Sequence, residues 1–274
     1  MTLSDARLAE IADAVARVPG VVGVALGGSR ARGTHTPESD TDLGVYYRAP
    51  LDVDRLGAVA RAFAGESARL TQPGEWGPWV DGGGWLTVDG GALDFIYRDL
   101  DRVRGVCADA EQGRYAFHAQ AGHPLGFASH AYAGEVALAR VLSDPDGELG
   151  GLRKGLRTYP PALARTLVAG LWEADFLVTL ARKGIARSDT AYVAGCLFRL
   201  VGVCAHALHG AAGRWLINEK GAVAATAALP GAPRRFAERV DQAFGALGTE
   251  LRVGIDLAAD LVLNTTDACT MMMR

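Results

Sequence analysis

Residues 24–47 read VALGGSRARGTHTPESDTDLGVYY, and no other stretch narrows the possible folds of this chain as far. An apolar run over 21–26 stops at Gly27-Gly28-Ser29; a polar loop follows, and Asp40 and Asp42 then come two apart at the head of a second apolar run ending at Tyr47. Short apolar runs bounded by turn residues suit buried strands. Alternate residues of a strand face one side, so the carboxylates flanking Thr41 can aim at one point, where a hard cation such as Mg²⁺ finds the oxygen pair it prefers. Gly27 and Gly28 let the backbone approach an anion with no Cβ in the way, and Ser29 can open a short helix whose N–H groups point at phosphate. The order is a phosphate loop followed by a metal site, with metal and triphosphate held side by side.

That reading asks for a third carboxylate on a neighbouring strand. Residues 85–88 and 92–97 are two strand-like runs separated by Asp89-Gly90-Gly91, a hairpin signal. Asp94 is the acid inside the second run, among Leu93, Phe95 and Ile96. An unpaired acid is costly to bury there, and a cation or a proton-transfer role accounts for it.

Around these strands the spacing predicts helices. Leu8, Ile11, Val15 and Val18 recur at helical intervals, with Thr2 or Ser4 as N-cap and Pro19-Gly20 as stop; Leu56, Val59 and Phe63 give residues 52–63 one apolar face. Residues 99–111 and 131–142 also read as helix, and strands alternating with helices suit a mixed sheet covered on one face. Trp76 and Trp79 lie on a Gly/Pro-rich loop, where they could stack a base or shape an acceptor pocket; packing is the better account. His118 and His123, on a Gly-rich connection, have no partner at metal-ligand spacing. The turn at 143–147 sets the domain boundary, giving an α/β domain over 1–145 and a helical one over 146–274. Beyond it no strand is expected. Helices over 161–183 and 188–209, and from 218, 233 and 249, make a five-helix bundle. In the first of these, Leu163, Leu167, Leu171, Ala174 and Val178 trace a core face that leaves Glu173 beside it.

Taken in order, Gly28-Ser29, Asp40, Asp42 and Asp94 resemble the DNA polymerase β-like nucleotidyltransferase superfamily, over roughly the first hundred residues. Within it, SRARGTHTPESDTDLG is most similar to the small bacterial enzymes that include the aminoglycoside and lincosamide nucleotidyltransferases. The resemblance implies an α+β fold: an N-terminal mixed-sheet nucleotidyltransferase domain with covering helices, then an all-α bundle. It implies ATP or another NTP bound at Gly28 and Ser29, two Mg²⁺ ions on Asp40 and Asp42 with Asp94 joining one, and Asp94 or Glu173 as general base. Lys220 resembles a helix-start lysine that reaches the triphosphate, a task suited to its point charge. The implied reaction moves AMP to a hydroxyl of a small molecule such as an aminoglycoside-like antibiotic, with release of pyrophosphate. Two alternatives stay open: AMP transfer to protein or RNA, as by antitoxins of the superfamily, and an inactive nucleotide-sensing module. Arg199 and His206 also satisfy the loose Arg-x6-His spacing of HEPN ribonucleases, for which a packed helical face is the better account.

Composition narrows the partners. A net charge of −3 argues against bulk nucleic-acid affinity, which rests on Lys and Arg. Four scattered cysteines read as reduced thiols, three of them packed. The first eighteen residues resemble an amphipathic helix rather than a signal peptide, and no uninterrupted apolar run reaches membrane-spanning length. A cytoplasmic monomer or homodimer is expected, with an NTP and a small hydroxyl-bearing acceptor as its partners.

Overall fold

The structure, a computed structural model, describes residues 3–33, 35–36 and 39–274. Helix α1 (Asp5–Ala16) starts where the Ser4 hydroxyl accepts the Arg7 N–H at 3.2 Å, an N-cap that satisfies one free donor of the first turn. Thr2, the other candidate cap, lies outside the described residues. Strand β1 (Val21–Leu26), the short helix α2 (Gly28–Arg32) and strand β2 (Thr41–Tyr47) follow. Next comes α3 (Val53–Ala64), capped by Asp52 through the Arg55 N–H at 3.0 Å.

Strands β3 (Gly83–Val88) and β4 (Gly91–Asp99) form the expected hairpin. Its turn residues, Asp89 at φ 51° and Gly90 at φ 76°, are both left-handed, the conformation that matches strand twist in two-residue hairpins. After α4 (Leu100–Glu111), the Gly-rich connection contains two brief strands, β5 (Phe117–His118) and β6 (Phe127–Ala128), and then α5 (Ala131–Leu138). The helix expected over 131–142 ends early. Ala139 turns extended, and β7 (Arg140–Ser143) pairs antiparallel with β1, because the unpaired edge of β1 offers ladder hydrogen bonds that a further helical turn would forgo.

The main sheet runs β3-β4-β2-β1-β7. It is mixed, β2 and β4 being parallel and the other pairs antiparallel. Alternation gives it two distinct faces. Leu43, Val45, Leu93, Phe95 and Tyr97 join Leu8, Ile11 and Val15 of α1 and Leu56 and Ala60 of α3 in one core. Asp42, Gly44 and Tyr46 on β2, and Asp94, Ile96 and Arg98 on β4, occupy the alternate positions and face the other way.

The chain divides into two compact units, Met1–Ala108 with His118–Arg157, and Asp109–Phe117 with Thr158–Arg274. The division therefore falls later than the 143–147 turn, which is internal to the first unit. Helix α6 (Glu148–Gly155) is tied there: Asp144 accepts the N–H groups of Leu149 and Gly150 at 3.2 and 2.8 Å, and Arg48 grips Glu148 with two bonds of 2.7 Å.

From residue 158 onward the described elements are helices: α7 (Pro161–Ala169), α8 (Trp172–Ile185), α9 (Thr190–Ala211), α10 (Ala222–Ala227), α11 (Phe236–Ala246) and α12 (Leu251–Met272). Six helices appear where five were expected, because the helix opened by Pro161 breaks at Gly170. A Cβ at Gly170 would stand 3.0 Å from the Tyr115 hydroxyl, so tight packing and the poorest helix former short of proline coincide there. The stripe of Leu163, Leu167, Leu171, Ala174 and Val178 is nonetheless buried along both pieces.

The 22 residues of helix α9 include an 18-residue window with a mean hydropathy of 1.6, long and apolar enough to cross a membrane despite Arg199 in the helix. In this fold it is a core helix, with 67% of its apolar window buried and Leu197, Leu200, Cys204 and Leu208 in the bundle core. All four cysteines are free thiols and all are buried, one more than the three expected to be packed.

Candidate active site

In the parallel β2–β4 pair, Asp42 stands in register with Asp94, on the sheet face opposite the core. Asp40 precedes β2 and is solvent-exposed, and the Arg30 side chain fixes its backbone by donating to the carbonyl oxygens of Ser39 and Asp40 at 2.5 and 3.1 Å. The Gly27 N–H donates to the Asp42 carbonyl oxygen at 2.8 Å, tying the start of α2 to β2. Gly28 adopts φ 59°, and a Cβ placed on it would lie 1.8 Å from Asp42 Oδ2. Glycine is required there for two reasons at once, the left-handed backbone and the close approach to the carboxylate. Ser29 is the second residue of α2, so the Gly-Ser pair and Asp42 do come together.

Electrostatics set these carboxylates apart. Burial pushes Asp42 above the usual carboxylate range, the charges of Asp40 and Glu135 add to it, and Arg32 and Arg98 partly offset the rise. Asp94 is pushed up to about 6 by burial and then by Asp42 and Asp40. Each acid therefore resists ionising because it is buried and, secondarily, because of the charges beside it, the situation a bound cation relieves. Among the described residues no three ligand side chains close on a common point. Still, the donors are all hard oxygens and Gly28 leaves open the space beside Asp42 Oδ2, so these residues fit a divalent cation chemically.

Behind Asp42 lies a feature that motif reading missed. Arg98 is 5% exposed and makes a two-pronged pair with Glu135 of α5 at 2.7 and 2.8 Å; its third bond, of 2.9 Å, goes to the Tyr97 carbonyl oxygen. Its guanidinium also sits 5.0 Å above the Tyr132 ring. A buried arginine without such a partner would be strongly destabilising. The pair leaves opposite charges beside Asp42, Glu135 raising and Arg98 lowering its protonation.

Trp79 packs, the account preferred for it over base stacking. It stacks on His118 at 4.0 Å and on Phe127 at 5.6 Å, while the Gln120 amide oxygen accepts the N–H groups of Trp79 and Val80 at 3.0 and 3.1 Å. His123 meets Phe127 edge-on at 5.2 Å, so both histidines belong to this aromatic cluster. Trp76 instead stacks on Trp85, a strand residue to which the sequence reading gave no role beyond the hairpin.

Glu173 and Lys220 lie in the second unit. Glu173, in the first turn of α8, is held by Arg199 at 2.7 and 3.1 Å, and the Arg199 guanidinium lies 4.3 Å above the Phe117 ring. His206 packs against the same ring at 5.2 Å, so the Arg-x6-His pair is built into side-chain packing. Lys220 is exposed, two residues ahead of α10, and its N–H donates to Asn218 Oδ1 at 2.7 Å.

Residues 8–110 match the nucleotidyltransferase domain family, a span that contains Gly28, Ser29, Asp40, Asp42 and Asp94. They are a nucleotidyltransferase domain. The chemistry of that family is transfer of a nucleotidyl group, drawing on an NTP and a divalent metal. Among solved structures, a nucleotidyltransferase-like protein from Exiguobacterium sibiricum 255-15 aligns with 95% of this chain and 74% of its own, at 10% identity and a TM-score of 0.43. No curated protein matches the chain. Glu135, Glu173 and Lys220 fall outside the matched span.

Proposed function

We propose that this nucleotidyltransferase moves AMP from ATP to a hydroxyl of a small-molecule acceptor, an aminoglycoside-like compound being the first to test, and releases pyrophosphate in the cytoplasm. The observation that carries the reading is the row formed by Asp42 and Asp94 in register, with Gly28 pressed against Asp42. In it, Asp40 and Asp42 would hold Mg²⁺, with Asp94 joining one of two ions. When bound, the metal neutralises the triphosphate and stabilises charge at the α-phosphate.

The chain's own groups do the rest. The backbone at Gly28 and Ser29 seats the phosphates, and Lys220 supplies a point charge for the terminal phosphate. The acceptor oxygen attacks the α-phosphorus in line, the bond to the β-phosphate oxygen breaks, and the hydroxyl proton passes to a carboxylate. Asp94 is the first candidate for that base, because it stands in register with Asp42 on the site face of the sheet. Glu173 is the second, and it would have to leave Arg199 to act.

The test offers α-labelled ATP or GTP with Mg²⁺ to an aminoglycoside panel, an RNA pool and a protein lysate. Label from ATP in the small-molecule pool is the expected result. Label in RNA or protein would replace the acceptor, and no label in any pool would remove the transfer reading.

A further inference from the structure

The row of site residues does not stop at Asp94. In the antiparallel β3–β4 pair, Trp85 stands directly opposite Asp94, and opposite residues share a face with their Cβ atoms about 5 Å apart. Across the sheet the sequence is therefore Asp42 on β2, Asp94 on β4 and Trp85 on the edge strand β3. The phosphate loop follows β1, on the far side of Asp42. Nucleotide phosphates held there leave Trp85 on the opposite side of the candidate base, where an acceptor has to approach.

Trp85 is 72% exposed, the most of any large hydrophobic residue among those described. It is not a loose ring. Trp76 stacks on it with centroids 4.5 Å apart and planes 21° from parallel, which occupies one indole face and leaves the stack open on the other. The loop carrying Trp76 is pinned in turn: the Gln120 amide donates to the Trp76 carbonyl oxygen at 2.7 Å, and the Gly74 N–H donates to the Asp81 carbonyl oxygen at 2.6 Å. A rigid pair of parallel indoles ending in solvent accepts one more ring face at little entropic cost.

We propose that Trp85, backed by Trp76, is the acceptor platform: the acceptor carries a ring whose flat face continues the stack and whose hydroxyl-bearing edge meets Asp94. The proposal rests on the transfer reading for what happens to the hydroxyl, but not for the binding itself. The ligand class is a ring-bearing alcohol, aromatic or sugar-like, as opposed to an open-chain alcohol.

Binding is measured without turnover, so the two readings can fail separately. Wild type, Trp85→Leu and Trp85→Phe are titrated calorimetrically with three probes: an aromatic alcohol, a cyclitol and an acyclic polyol of similar size. Mg·ATP titration checks that each variant keeps its nucleotide half. The expected result is ring binding by wild type, a loss of about tenfold in Trp85→Leu, and partial recovery in Trp85→Phe. Which ring binds tighter separates the aromatic from the sugar-like source. Absence of ring binding to wild type at millimolar concentration, equal affinity for the acyclic polyol, or unchanged affinity in Trp85→Leu would each overturn the platform. Where an acceptor is turned over, Trp85→Leu should raise KM and spare kcat; a fall in kcat alone would also count against it.

Discussion

The two faces of the five-stranded sheet use the same strands for opposite purposes. On one face Leu43, Val45, Leu93, Phe95 and Tyr97 disappear into a core with α1 and α3. On the other, the residues between them are Asp42, Gly44 and Tyr46, and Asp94, Ile96 and Arg98. The first face gains stability from burial, whereas the second sets partly buried carboxylates near one another. Burial holds both Asp42 and Asp94 above the usual carboxylate range, with Asp40 and Glu135 adding to the rise of Asp42 and Asp42 and Asp40 to that of Asp94, and Arg98 is buried only with Glu135 across from it. The contrast locates stability and chemistry on alternate residues of one backbone, so substitutions one position apart should fail in different ways.

The largest expected effect is on chemistry. Asp42→Asn should lower nucleotide transfer on the order of 10⁴-fold, about 5 kcal/mol at the transition state, while leaving the melting temperature unchanged or higher because a repelling charge is gone. Wild-type turnover at saturating Mg²⁺ would remove Asp42 from the metal site. On the core face, Phe95→Ala should cost about 3–5 kcal/mol of stability in denaturant unfolding, and the molecules still folded should bind Mg·ATP with ordinary affinity. A Phe95→Ala protein as stable as wild type would mean that the two faces are not divided as described.

The smallest effect is a pH dependence. Asp94 binds its proton more tightly in the folded chain than in the unfolded one, so its contribution to stability is complete below about pH 4 and is lost as pH rises to about 6. In metal-free protein, the difference in melting temperature between wild type and Asp94→Asn should shift across that window, wild type losing ground as pH rises. Added Mg²⁺ should restore more stability at pH 7 than at pH 5, since protons compete for the same oxygens. A difference that stays flat from pH 4 to 7 would deny the raised protonation of Asp94 in the folded chain.

Much of this contrast was legible in the chain because it is local. Alternation placed Asp42 and Asp94 on strands, Asp89-Gly90 fixed the hairpin, and Ser4 and Asp52 marked helix starts through hydrogen bonds three residues long. What escaped was non-local or energetically balanced. The Arg98–Glu135 pair joins a strand to a later helix with no shared motif, and only burial reveals that either needs the other. Strand β7 is four residues long and follows a helix with no turn residue between; pairing with β1 decides it. Trp85 looked like an ordinary strand aromatic, and register alone shows that it faces the site. Gly28 was identified for phosphate approach, whereas its tightest neighbour is Asp42 Oδ2.

The parallel pairing of β2 with β4 has a consequence in time. Strands β1 and β2 can join as soon as the loop between them closes, but β4 reaches β2 only after the chain has passed through α3 and β3 and returned. Non-local parallel pairing of this kind is a slow step, because loop-closure entropy is lost before any contact compensates it. During synthesis the phosphate loop and Asp42 therefore exist before Asp94 arrives beside them. The third carboxylate, and the repulsion it brings, comes to the site with the β3–β4 hairpin that carries it.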